Sequence, residues 1–161
     1  MPIYNGHFVE NDPAGGQRLS PTTLAALGPV LAVSVSIPQA LAAFNTRQQI
    51  PLPSPITGLA LIDTGATKSC VHAPIMSNLG VNPIGVVTSG TPAGQVLHSL
   101  CPAHFTFPAT NIEIDFTSVV GVDLSGQIIN DQQLIALVGR DVLSMGILVY
   151  NGTTGTFSFA M

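Results

Sequence analysis

Charge is what this chain has least of. Its four Lys and Arg and eight Asp and Glu make up 7% of 161 residues, against roughly a quarter in an ordinary soluble domain. The basic residues, Arg18, Arg47, Lys68 and Arg140, are scattered along the sequence and cannot assemble the positive surface that a phosphate backbone requires, so nucleic acid is excluded as a partner. Cysteine is also scarce. Cys70 and Cys101 are too few for a disulfide scaffold and are expected as reduced, buried thiols. The apolar stretch at residues 24–44 is broken by Pro29, Ser34, Ser36 and Pro38, short of the ~20 continuous apolar residues that a spanning helix needs. No membrane span is expected. The first residues lack a basic start followed by an apolar core, so export by a signal peptide is not expected and a cytoplasmic location is favoured. No fixed-period repeat, heptad or low-complexity tract is visible.

What is present is apolar material, 46% of the chain with a net charge of -4, enough to fold and too little self-repulsion to stay disordered. Its surface must be covered by uncharged polar residues, Gly and Pro, or its apolar excess hidden against another subunit, and both are expected. So few carboxylates also imply tolerance of acid, since little native pairing is lost on protonation.

Turn formers crowd the first residues: Asn5-Gly6, Asn11-Asp12-Pro13, Gly15-Gly16 and Pro21. They predict an irregular arm over 1–23 and a single domain over 24–161. From residue 30 to 37, apolar Leu31, Val33, Val35 and Ile37 alternate with Ala32, Ser34 and Ser36, the period of a half-buried strand. One helical turn at 38–44 and an extended loop through Pro51, Pro53 and Pro55 lead to a strand at 58–62. Further β-type segments lie at 70–72, 81–87, 95–100, 104–107, 112–122 and 134–138. A short helix is expected at 140–145, with Gly146 stopping it in the left-handed conformation. A hairpin follows at 147–150 and 156–159, turning near Asn151-Gly152. This spacing predicts an all-β protein, a closed or partly open barrel with one short C-terminal helix.

The chemistry is concentrated in Ala60-Leu61-Ile62-Asp63-Thr64-Gly65-Ala66, where an apolar strand runs into an acid, a hydroxyl and a glycine. Asp-Thr-Gly alone arises by chance in roughly one chain in thirty of this size; flanking aliphatics make the coincidence far rarer. A carboxylate at a strand end is partly desolvated, where its acidity is tunable. Ala136-Leu137-Val138-Gly139-Arg140-Asp141 echoes it, an apolar strand ending in glycine before a helix.

With these two segments the chain resembles the retropepsin-like aspartic proteases, single-domain homodimeric enzymes, from about residue 29 to 159. The resemblance implies a barrel of that type and Asp63 as catalytic acid, one from each protomer. It implies Thr64, Gly65 and Ala66 as active-site loop support, and Leu137, Val138, Gly139, Arg140 and Asp141 as the structural segment beside them. Thr88, Ser89, Gly90, Thr91, Pro92, Ala93 and Gly94 fall where the family has its flap, with Val86, Val87 and Val96 at its root, and residues 156–159 would supply an interface strand. The implied partners are a second copy of the chain and an extended peptide or protein substrate, with no cofactor. One such acid per chain suffices because two close carboxylates sharing a proton can act as base and acid together, and a two-fold dimer supplies the second. Thr67 stands where the retroviral members carry an acid that pairs with the arginine, so Arg140 needs another acid or backbone carbonyls.

Two alternatives stay open. A catalytically silent dimeric peptide-binding or scaffold module would share the fold. Cys70, His72, His98, Cys101 and His104 are ligand types that zinc accepts. In an extended 95–104 segment, however, His98 and His104 share one face, Cys101 points away and Pro102 disturbs the run, so no metal is expected. The sequon Asn151-Gly152-Thr153 reads as a turn.

Overall fold

The computed structural model describes residues 2–91 and 94–161. In chain order come β1 (Ile3–His7), β2 (Val9–Asn11), β3 (Gln17–Leu19), α1 (Pro21–Leu27), β4 (Val30–Ser36), α2 (Gln39–Arg47), β5 (Ile56–Ile62), β6 (Cys70–His72) and α3 (Ala73–Asn78). They are followed by β7 (Gly85–Thr91), β8 (Gly94–Phe107), β9 (Ile112–Val122), β10 (Ile128–Ile129), β11 (Gln132–Val138), α4 (Arg140–Leu143), β12 (Ile147–Asn151) and β13 (Thr156–Ala160).

Six strands close on themselves in the order β11, β5, β4, β8, β9, β6 and back to β11, so the expected all-β barrel is what the chain forms. β4 shows why: Leu31, Val33 and Val35 point inward and are buried, while the small and polar residues between them face out. Phe105, Val71, Val119, Ile135 and Val138 complete the interior. Burying the outward side chains as well requires continuous apolar runs, which β5 and β11 provide. These two run parallel, with Val138 opposite Ile62. Their ends therefore emerge together, and Asp63 and Gly139 leave the barrel side by side.

The structure departs from the expectations in several places. Residues 2–23, expected as an irregular arm, carry three strands and the start of a helix. β1 pairs antiparallel with β13, and β2 with β3. Gly6 lets β1 lie on the Phe157 ring, which a Cβ there would strike. α1 has its own signals: the Ser20 hydroxyl accepts from the Thr23 amide, Pro21 stands in the first turn, and Gly28 ends the helix at φ +75°. They were legible as a cap, an N1 proline and a stop. The turn at 38–44 grows to the nine residues of α2, because the segment after Pro38 is rich in Ala, Leu and Gln. α3 forms where a strand end meets Pro74, burying Ile75 and Met76. Helix is thus not confined to the C-terminus.

Pro102 does not split the 95–107 region. β8 runs through it, and the register against β9 shifts between Cys101 and Ala103, a bulge that accommodates a residue with no N–H. The segment 81–87 enters its strand only at Gly85. Gly146 is absent from the positive-φ glycines; its bare Cα instead lets β13 pass, since a Cβ would collide with the Ala160 carbonyl. In the C-terminal hairpin the left-handed residue is Gly155, at φ +72°, while the Asn151 side chain accepts from the Thr153 and Thr154 amides. β13 is the middle strand of a three-stranded sheet, between β1 and β12 of its own chain. Both its edges are filled, so 156–159 cannot offer a partner a strand edge.

Candidate active site

Asp63 follows β5 directly, and its backbone amide donates to the Val138 carbonyl at 2.9 Å, which fixes the loop to the end of β11. The carboxylate is half-buried. Its Oδ1 accepts from the Gly65 amide at 2.8 Å and the Ala66 amide at 3.2 Å, a turn formed by an aspartate and its own following backbone. Among the described residues nothing donates to Oδ2, which is left for an outside partner. Gly65 belongs here for a steric reason, since a Cβ would lie 3.1 Å from Oδ1.

The two sequence segments lock together. The Arg140 amide donates to the Ala66 carbonyl at 2.9 Å. Its guanidinium donates to the Thr64 carbonyl at 3.1 Å and the Thr67 hydroxyl at 2.8 Å. Arg140 therefore finds a backbone carbonyl and the Thr67 hydroxyl rather than a carboxylate. Gly139 permits the close approach: a Cβ would sit 2.5 Å from the Lys68 carbonyl carbon and 2.8 Å from the Ser69 amide nitrogen.

Beneath the loop lies a residue that sequence reasoning missed. Ser69 is fully buried; its hydroxyl donates to Asp141 Oδ1 at 2.7 Å and accepts from the Gly139 amide at 3.0 Å. The Ser69 amide adds bonds to both Asp141 oxygens, and Oδ1 also receives the Val142 amide at 3.0 Å. Asp141 thus anchors both the loop and the first turn of α4, a charge-assisted set worth more than neutral bonds. Nothing in the local sequence marks Ser69 apart from a hydroxyl where an apolar strand begins. Burial pushes the neighbouring Cys70 thiol up to about 11, with the charges of Asp141 and then Asp63 adding to the shift.

Thr88, Ser89, Gly90 and Thr91 lie in β7, and Gly94 opens β8; Pro92 and Ala93 lie outside the described residues. β7 and the first half of β8 form a two-stranded hairpin, Gly85 opposite Leu100 and Thr91 opposite Gly94. Val86, Val87 and Val96 do not root it; all three are exposed, Val86 by 70%, because two strands alone offer no second layer. His98 ties it down instead. Its Nδ1 lies 3.2 Å from the Gly121 carbonyl and its Nε2 2.7 Å from the Ser89 hydroxyl. A carbonyl only accepts, so Nδ1 carries the hydrogen, and in the neutral ring Nε2 accepts from Ser89. This side chain stitches β7, β8 and β9 where the hairpin leaves the barrel.

Between hairpin and loop runs a mostly apolar cleft of about 470 Å³, lined by Ala66, Lys68, Val87, His98, Val120 and Val122 among others. Two hollows elsewhere on the barrel, one lined by Tyr4, His7, Phe8 and Phe157 and the other by Val33, Thr57, Asp131 and Gln133, contain neither Asp63 nor the hairpin. On the other side of the loop, Thr64, Arg140, Leu143, Ser144 and Leu148 surround a shallow apolar depression. The structure does not gather the zinc-type residues. Cys70 and His72 lie in β6 and His98, Cys101 and His104 along β8, and among the described residues no three His, Cys, Asp or Glu side chains assemble to hold a metal ion. Among the described residues no helix is long and apolar enough to cross a membrane.

Compared by sequence, the chain matches no protein-family model and no curated protein. In structure it is similar to a retropepsin-like aspartic protease from Rickettsia conorii, with a TM-score of 0.41 and 10% identity over 98% of this chain and 92% of that one.

Proposed function

We propose that this chain is one half of a homodimeric aspartic endopeptidase. The observation that carries the reading is the posture of Asp63: one carboxylate oxygen is held by two loop amides, the other has no donor among the described residues, and the same loop lines a cleft under the hairpin through Ala66, Thr67 and Lys68. Two such carboxylates related by a two-fold axis share a single proton, because like charges held close resist ionising together. The ionised partner takes a proton from a water, the water attacks the scissile carbonyl carbon, and the protonated partner gives its proton to the carbonyl oxygen. The newly protonated carboxyl then gives its proton to the departing nitrogen as the carbon–nitrogen bond breaks, while the other carboxylate takes a hydroxyl proton from the tetrahedral intermediate as the new carboxyl group forms, restoring the single shared proton.

The other residues serve this step. Thr64 and Arg140 brace the loop from the side facing the second protomer, while Gly65 leaves room for substrate backbone. The peptide lies extended as an added strand, its side chains alternating into pockets such as the cleft, and the β7–β8 hairpin closes over it as a lid rooted at His98. No cofactor enters the reaction. Replacing Asp63→Asn should leave circular dichroism and sedimentation unchanged and abolish cleavage of a peptide library at mildly acid pH. Unchanged cleavage overturns the proposal, and a wild type that retains a peptide without cleaving any would identify a silent binding module.

A further inference from the structure

We infer that a second copy of this chain docks along the free edge of β12, pairing β12 with its symmetry mate and joining two three-stranded sheets into one of six strands. This rests on the two-carboxylate reading and says how the second carboxylate is delivered.

The two edges of the terminal sheet differ in kind. β1 is preceded by Pro2 and ends in Asn5, Gly6 and His7, polar or small residues that blunt pairing. β12 reads Ile147-Leu148-Val149-Tyr150-Asn151, with Ile147 58% and Val149 56% exposed. It carries no charge and no proline, and its register against β13 runs without a bulge. Among the described residues no strand covers its outer side. Natural sheets protect such an edge with lysine, proline, a bulge or a covering element; a bare apolar edge is stable in solution when another strand occupies it.

Three observations select a second copy as the occupant. The edge continues into the catalytic loop, since Leu148 of β12 shares its depression with Thr64, Arg140 and Leu143. The site beside it holds one carboxylate of a pair, so it is incomplete without a copy of itself. Finally, a strand that pairs antiparallel with itself does so about a two-fold axis, which makes the contact closed and isologous. No exchange of terminal strands is required, because β1 and β13 are already paired within one chain.

The test is charge complementation at the axis. Val149→Asp and Val149→Lys each set like charges against one another and should weaken dimerisation at least tenfold by sedimentation velocity, with the circular dichroism of a folded barrel. Mixing the two variants one to one should restore both the dimer and cleavage. A milder set, Leu148→Cys, Val149→Cys and Tyr150→Cys in turn, should give a disulfide-linked dimer under gentle oxidation at the position nearest the axis, since opposed antiparallel residues lie within disulfide reach. Wild-type dimerisation by both charged variants, or no cross-link at any of the three positions, overturns the pairing. If cleavage in those cases still depends on Asp63, the two-carboxylate reading stands and another surface delivers the partner. A wild type that cleaves as a strict monomer overturns both.

Discussion

Removing the Ser69 hydroxyl tests whether the buried bonds under the loop hold the site together. In Ser69→Ala the Gly139 amide, bonded to that hydroxyl at 3.0 Å, is left without its acceptor in a buried place, at a cost of about 1–3 kcal/mol. Asp141 loses its shortest bond, 2.7 Å, a charge-assisted contact of about 1.5–3 kcal/mol. It keeps the Ser69 and Val142 amides, which places this second loss at the lower end. The hole left is one oxygen atom in size, too small for a water to replace the lost bonds. The expected sum is about 3 kcal/mol. For a chain of this length that lowers the melting temperature by roughly 6–12 °C at about 2–4 °C per kcal/mol. Urea titration at one fixed protomer concentration is the assay, because the stability of a dimer depends on concentration. Adding Asp141→Asn should cost less than the sum of the two single changes, since both act on the same bonds. A Ser69→Ala loss under about 1 kcal/mol, or strict additivity with Asp141→Asn, would refute the reasoning.

Gly139→Ala should unfold the protein or cost upwards of about 3 kcal/mol, because the atoms its Cβ meets at 2.5–2.8 Å are backbone of Lys68 and Ser69; Gly90→Ala, with open space around it, should be close to neutral in the same denaturant titration. The Cys70 thiol, held up to about 11 against an ordinary 9.0, should resist alkylation at pH 8–9 until urea is added. Its unfolded form ionises first as pH rises, so stability should fall between about pH 9 and 11. Tyr4, raised by burial, adds in the same direction, and Cys70→Ala should flatten only part of the slope. Rapid labelling of the native protein at pH 8 would contradict this placement.

Much of the candidate site is legible in the order of residues. Asp63, Gly139 and Arg140 stand out because an apolar run that ends in an acid or a glycine is chemically odd wherever it occurs. Period-two alternation marked β4, and β9 was placed residue for residue. Proline misled at Pro102, where a bulge supplied what local propensity could not foresee. The opening segment misled in the opposite way: its turn formers are genuine, but β1 is held by pairing with a strand at the far end of the chain.

By itself the sequence determined the strand pattern, the lack of any basic surface and the two loops that carry the acid and its brace. These are local properties, written in the period of the side chains and in the few backbone positions that only glycine fits. The tertiary structure decided the rest: that Ser69 lies under Gly139, 70 positions away; that Arg140 holds Thr64 and Thr67 rather than a carboxylate; that His98 pins the hairpin; and that β12, not β13, is left bare. Such facts belong to the closure of a barrel and the order of strands in a sheet, where residues remote in sequence become neighbours and an edge exists only once every other strand has found its place.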